Sequence, residues 1–181
     1  MPLSNTHGSG TMEDQQRYRL GETDELLTLS SSADNREVAL QLATQAQKSL
    51  CILTRDLERA IFNTPEFAAA VARLATRSRN SIIRILLMDS TAVAKRAHRV
   101  VDLSQRLSSS IHIRRPDEEH QGVTQAFVVA DDTGYLRRII ATRYEGSASF
   151  NAPGDARELM QLFDRMWEKA APEPECRRLH L

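Results

Sequence analysis

The chain has 181 residues, 41% hydrophobic and 27% charged, with 24 basic and 24 acidic side chains. That is enough for one domain with a substantial core, while no apolar run approaches the ~20 residues that would span a bilayer and the N-terminus lacks the apolar core of a secretory signal. Two cysteines, Cys51 in an apolar run and Cys176 in a polar tail, fit a core residue and a surface thiol better than a disulfide or metal site, so the expectation is a cytoplasmic protein with neither metal nor cofactor.

Residues 1–16 are rich in Ser, Gly, Asn and Thr without periodicity and are expected to be a disordered N-terminal segment ahead of a domain over 17–170. Residues 17–30 read as a short hairpin or irregular lead-in. Asp34 with Glu37 is a capping-box pattern, and Val38, Ala39, Leu42, Ala43 and Ala46 then fall on one helical face. Leu50–Thr54 reads as a strand. Thr64-Pro65-Glu66 opens the next helix with a capping hydroxyl, a proline at the first position and an acid in the first turn. Ser81–Met88 is nearly continuous in apolar residues, as in a strand covered on both faces.

The spacing of Val93, Ala97, Val100 and Leu107 predicts one helix over 91–107, and Ser110–Arg114 a third strand. A polar loop over 116–122 leads to strand Val123–Ala130, turn Asp131–Gly134 and strand Tyr135–Ala141. Asp155 with Glu158 announces a last helix, lined by Leu159, Leu162, Phe163, Met166 and Ala170, and residues 171–181 read as a tail. Alternating strand and helix predicts an α/β fold: a mixed, largely parallel sheet with helices on both faces.

Five local patterns sit in order on these elements: Ala46-Gln47-Lys48-Ser49-Leu50; Ile83-Arg84-Ile85-Leu86-Leu87-Met88-Asp89; Gln125-Ala126-Phe127 with Asp132; Gly146-Ser147-Ala148-Ser149; and Phe163 with Trp167. Together the chain resembles one repeat of the phospholipase D superfamily over roughly residues 35–170. In active members of that superfamily, a His-x-Lys-x4-Asp strand supplies a nucleophilic His and a phosphate-holding Lys, and a Gly-Ser-x-Asn motif follows. Here Gln125 and Phe127 stand at the His and Lys positions, and Ser149 replaces the Asn. Asp132 and Ser147 alone survive. A glutamine amide is neither a nucleophile nor a general acid near neutral pH, and phenylalanine offers a phosphate no charge. His98, His112 and His120 read as solvated or structural histidines rather than replacements.

The resemblance therefore implies a non-catalytic binding or scaffold domain. Single-repeat members pair to build one crevice, so a homodimer is expected, with Phe127 as an apolar ring that a second copy would cover, and with an unidentified phosphate-containing ligand. A second reading rests on charge distribution. Residues 35–115 carry 14 Lys and Arg against 6 Asp and Glu, between acidic flanks, and Arg73, Arg77, Arg79, Lys95, Arg99 and Arg106 are candidate phosphate contacts for a nucleic acid. The low aromatic content of 5% leaves few base-stacking platforms. A third reading gathers Arg55, Asp56, Asp89, Asp132, Arg143, Tyr144 and Glu145 at the sheet's carboxyl edge as a crevice, with an enzyme site rearranged around them.

Overall fold

The computed structural model describes residues 17–176; the expected disordered segment over 1–16 lies outside them. In chain order the elements are β1 (Leu27–Leu29), α1 (Ser32–Gln45), β2 (Ser49–Thr54), α2 (Arg59–Phe62), α3 (Pro65–Arg77) and β3 (Ile82–Leu87). They continue with α4 (Thr91–Lys95), α5 (Arg99–Arg106), β4 (Ile111–Arg115), β5 (Ala126–Ala130), β6 (Gly134–Arg138), β7 (Gly146–Ser149), α6 (Pro153–Lys169) and β8 (Ala171–Pro172). The strands form one sheet in the order β1-β7-β6-β5-β2-β3-β4-β8.

The mixed sheet and the helices on both faces are as the sequence predicts, but parallel pairing is confined to β2 with β3 and β3 with β4. The other five neighbour pairs are antiparallel, so "largely parallel" is corrected to mostly antiparallel. A parallel return needs a crossover of a dozen or more residues. Residues 116–125 are too few, and hold a single 3-10 turn at Glu118–His120. The chain therefore re-enters the sheet from the edge it has just left, and β5 runs antiparallel to β2.

The period-2 alternation of the strands sorts the core into two layers. Leu50, Ile52, Ile83, Ile85, Val128, Ala130 and Leu136 face α1, α3 and α5. Cys51, Leu53, Leu86, Phe127, Val129 and Tyr135 face α6, which answers with Ala156, Leu159, Met160, Phe163 and Met166. α6 is held at its far end by stacking: Phe163 and Trp167 lie 5.6 Å apart, and the guanidiniums of Arg84 and Arg114 sit 5.5 and 4.4 Å from the Trp167 ring.

Local signals shift by a few residues. The capping box of α1 is built by Ser31 and Asp34, not Asp34 and Glu37. α6 starts at Pro153 without a side-chain cap. The helix expected over 91–107 breaks in two, because His98 takes an extended conformation and caps α5, its Nδ1 accepting from the Val100 amide. Residues 171–176, read from the sequence as part of a tail, add β8 to the sheet against β4 and bury Glu173 and Cys176. Gly146 is required by close approach: a Cβ there would lie 2.4 Å from the Arg137 carbonyl oxygen.

Candidate ligand crevice

The carboxyl ends of β2, β3 and β6 and the amino ends of β5 and β7 share one edge of the sheet, because β5 and β7 run against β2 and β6 respectively. On β5, Gln125 and Phe127 point to the α6 face. Phe127 is 1% exposed, its ring edge-on to Phe163 at 6.4 Å. The apolar ring is thus covered by its own chain, which removes the reason for expecting a second copy over it. Gln125 is half-buried just before β5, and its Oε1 accepts a hydrogen bond from Arg137 Nε at 3.1 Å. Ser147 pairs with Arg137 across β6 and β7. Ser149 is buried, and its hydroxyl accepts from the Asn151 amide in the following turn.

Asp132 lies at the opposite edge, exposed in the β5–β6 turn. The aspartate that acts there is its neighbour Asp131, whose carboxylate accepts from the backbone amides of Gln47, Lys48 and Ser49 at 2.8–2.9 Å and so fixes the start of β2. Both aspartates have positive φ, 52° and 54°, a conformation Asp tolerates. Counting the His-x-Lys-x4-Asp spacing back from Asp131 falls on Thr124 and Ala126. A shift of one residue turns the motif to the other face of the sheet, and neither Thr124 nor Ala126 is a base or a cation.

On that other face, Ala126 pairs with Arg138. Arg138 is 2% exposed and forms a two-pronged pair with Glu58, one limb at 2.9 Å, while its Nη1 also reaches the Arg143 carbonyl at 3.3 Å. Its guanidinium lies 6.0 Å from the Tyr144 ring. Fully buried Asn35 donates to the Tyr144 carbonyl at 2.8 Å. Burial, and then the neighbouring Glu58, hold the Asp56 carboxyl above its ordinary range. Three buried polar atoms here have no hydrogen-bond partner: Asn35 Oδ1, Asp56 Oδ1 and Arg138 Nε.

Of the seven edge residues expected from sequence, the structure brings Asp56 and Tyr144 to this centre, leaves Arg55, Asp89, Arg143 and Glu145 exposed around it, and places Asp132 at the opposite edge. Asp89 is committed to local structure: its Oδ1 accepts from the Thr91 amide at 2.9 Å, and the Thr91 hydroxyl, with that amide, lowers its pKa. Asn35, Glu58, Arg137 and Arg138 were missed. The signal for the two arginines was their place side by side inside an apolar strand, where one of any two adjacent residues must face each layer.

His98 and the two cysteines are committed to the core. His98 is 2% exposed, its Nε2 on the Leu57 carbonyl at 3.0 Å, and burial pushes its pKa down to about 4. With Nδ1 accepting from Val100, Nε2 carries the proton. Burial pushes Cys51 up to about 11 and Cys176 up to about 12, so Cys176 is a core thiol, not a surface one. Asp117, Glu119 and His120 bring ligand atoms within 4.8 Å of one another, a cluster the sequence spacing did not suggest. There His120 Nδ1 and Asp117 pair at 2.5 Å, and Lys169 pairs with Glu119.

The family model of the "Domain of unknown function (DUF7931)" matches residues 31–179. The chain belongs to that family. No curated protein matches it in sequence. By structure it is similar to TrmBL2, described as an archaeal chromatin protein with a novel mode of DNA binding, at TM-score 0.61 and 11% identity over 83% of this chain; it spans about half, 54%, of that protein. It is also similar to Nuc from Salmonella typhimurium, a phospholipase D family member, at TM-score 0.58 and 13% identity, covering 82% of this chain and 99% of that one. NucT from Helicobacter pylori gives TM-score 0.58 and 12% identity, covering 83% and 98%. At these identities what is shared is the fold, which is phospholipase D-like.

Proposed function

We propose that this chain is a non-catalytic phospholipase D-like binding domain. The observation that carries the reading is the motif strand itself. In either register it offers no nucleophile, base or phosphate-holding cation: Gln125 and Phe127 are spent on Arg137 and on α6, and Ala126 lies beside an arginine already paired with Glu58. Asp89 is held by the Thr91 amide in the turn that leads into α4, which weighs against a rearranged acid–base pair. Purified protein is expected not to turn over bis(p-nitrophenyl) phosphate; turnover that copurifies with the protein and is lost in Arg138→Met would overturn the reading.

The homodimer stands as part of this proposal on different grounds. Among the described residues, three of the large exposed hydrophobics, Ile139, Ile140 and Tyr144, fall in the single β6–β7 loop at the crevice edge. A second copy is the partner they suit. Light scattering is expected to give a dimer that Ile139→Asp with Ile140→Asp reduces to a folded monomer; a monomeric wild type would refute it. The phosphate-containing ligand would meet the exposed rim arginines Arg55 and Arg143.

One observation favours the nucleic-acid reading as an alternative. Arg73, Arg77, Arg79, Lys95, Arg99 and Arg106 are all exposed, and among the described residues none is in an ion pair with the acidic flanks. They run over the packed α3–α5 face from the crevice edge to the opposite one, and the neighbour TrmBL2 is itself described as binding DNA. Binding that falls steeply with salt and is lost in Arg99→Glu with Arg106→Glu would establish it; no retention of DNA at low salt would exclude it.

A further inference from the structure

A concavity lies away from the Arg138–Glu58 edge, between α5 and the outer edge of β4. It encloses about 410 Å³ and is lined by Ser104, Gln105 and Ser108 of α5 and its exit, by Ile111 to Arg114 of β4, and by Pro172, Glu173 and Cys176. Its size is that of a small-molecule site. β8 pairs with Arg114 and Arg115, and the Glu173 amide then donates to the Ile113 carbonyl at 3.2 Å, which ties Glu173 to the edge of β4.

The wall contains one feature that packing does not explain. Glu173 is 1% exposed, yet among the described residues no cation pairs with its carboxylate. Oε1 accepts from the Glu175 amide at 3.2 Å, and Oε2 is buried with no partner. A buried carboxylate oxygen left unsatisfied is costly and is retained where something completes it. The lining arginine does not: the Arg114 guanidinium is stacked 4.4 Å from Trp167 and bonded to its carbonyl at 3.2 Å. The rest of the lining mixes aliphatic side chains, Ile111, Ile113 and Pro172, with the polar ones of Ser104, Gln105, His112 and the exposed Ser108. An ion needing only oxygen ligands would find one carboxylate and too few others, whereas an alkyl stem would lie along the isoleucines with its charged end at Glu173.

We propose that this cleft is a binding site for an aliphatic cation, a primary ammonium or guanidinium group on a short methylene stem, with Glu173 as its anionic anchor. The cation is either a free small amine or a Lys or Arg side chain presented by another protein. Calorimetry on the full chain with putrescine, agmatine and a short lysine peptide reads the shared chemistry, and butanol serves as the uncharged control. Saturable binding of at least one cation, absent for butanol and weakened about tenfold or more in Glu173→Gln, is the expected result. Small amines binding where the peptide does not identifies a free metabolite, and the reverse identifies a protein side chain. Ser108→Trp, which keeps the carboxylate and blocks the mouth from an exposed position, is expected to abolish binding as well and serves where Glu173→Gln is poorly folded. No binding of any of the three cations, or binding untouched by both substitutions, would overturn the proposal.

Discussion

Arg138 and Glu58 lie 80 residues apart in the chain and meet as a two-pronged ion pair at the carboxyl edge of the sheet. Arg138 is 2% exposed and Glu58 17%, so the guanidinium has almost no access to water. Removing one partner leaves the other charge buried and alone, which costs about 3–5 kcal/mol, whereas replacing both by apolar groups of similar volume is often close to neutral. Glu58→Ala is therefore expected to lower the urea-unfolding free energy by about 3 kcal/mol. Glu58→Leu combined with Arg138→Met is expected to lose much less than the single change. Equal losses in the two variants would mean that the pair's partners are not energetically coupled.

Restoring the motif in the register first read from sequence is expected to fail for a structural reason. Phe127→Lys would place an ammonium between the sheet and α6, against Phe163 and out of reach of solvent. The loss of the buried ring alone is worth about 3 kcal/mol or more, and the buried charge adds to it. Gln125→His with Phe127→Lys is expected to be unfolded or to lose its near-ultraviolet circular dichroism. A native-like spectrum with thermal stability within a few degrees of wild type would show that α6 is less tightly applied than the geometry requires.

The layers were legible because each strand's alternation and each helix's apolar stripe states which residues share a face. Leu50 and Ile52 could be separated from Cys51 and Leu53 by period alone. Strand direction was not legible in the same way: nothing in Val123–Ala130 distinguishes a strand that follows a crossover from one that turns straight back, and only the short connection over 116–125 carries that information. The crevice was half legible. Asp56 and Tyr144 follow from the rule that ligand sites gather at strand ends, but the Glu58–Arg138 pair depends on two loops meeting across the sheet. A one-residue uncertainty in motif register, harmless for naming the strand, reversed the face assigned to each position in it.

His98 makes acid sensitivity predictable. Its pKa falls from 6.5 to about 4 on folding, because burial disfavours the charged ring more than the contact with the Leu57 carbonyl favours it. The folded state then binds fewer protons than the unfolded one between those values, so its contribution to stability is complete above pH 6.5 and is lost as pH falls toward 4. At 1.36 kcal/mol per unit the loss is about 3 kcal/mol. His98→Asn retains a side-chain acceptor suited to the cap of α5 but does not titrate, so its stability between pH 6.5 and 4 is expected to decline less steeply than that of the wild type. Parallel pH profiles for the two proteins would contradict this assignment.

Asp131 and Asp132 give the sharpest comparison, since they are adjacent, share a positive φ and differ only in what the carboxylate does. Asp131 gathers three backbone amides at the start of β2, from Gln47, Lys48 and Ser49, while Asp132 projects into solvent. Asparagine tolerates the left-handed conformation as aspartate does, so the substitution isolates the carboxylate from backbone strain. At 131 an amide can keep one accepting oxygen but must turn an NH2 toward an amide N–H, leaving at least one donor unmet and removing the charge from the remaining bonds. The expected cost is about 1.5–3 kcal/mol, with most of the effect on the β2–β5 end of the sheet. At 132 the same change is expected to fall within about 0.5 kcal/mol. Chemical unfolding of Asp131→Asn and Asp132→Asn side by side measures both, and a larger loss at 132 would return the motif to the register that ends there.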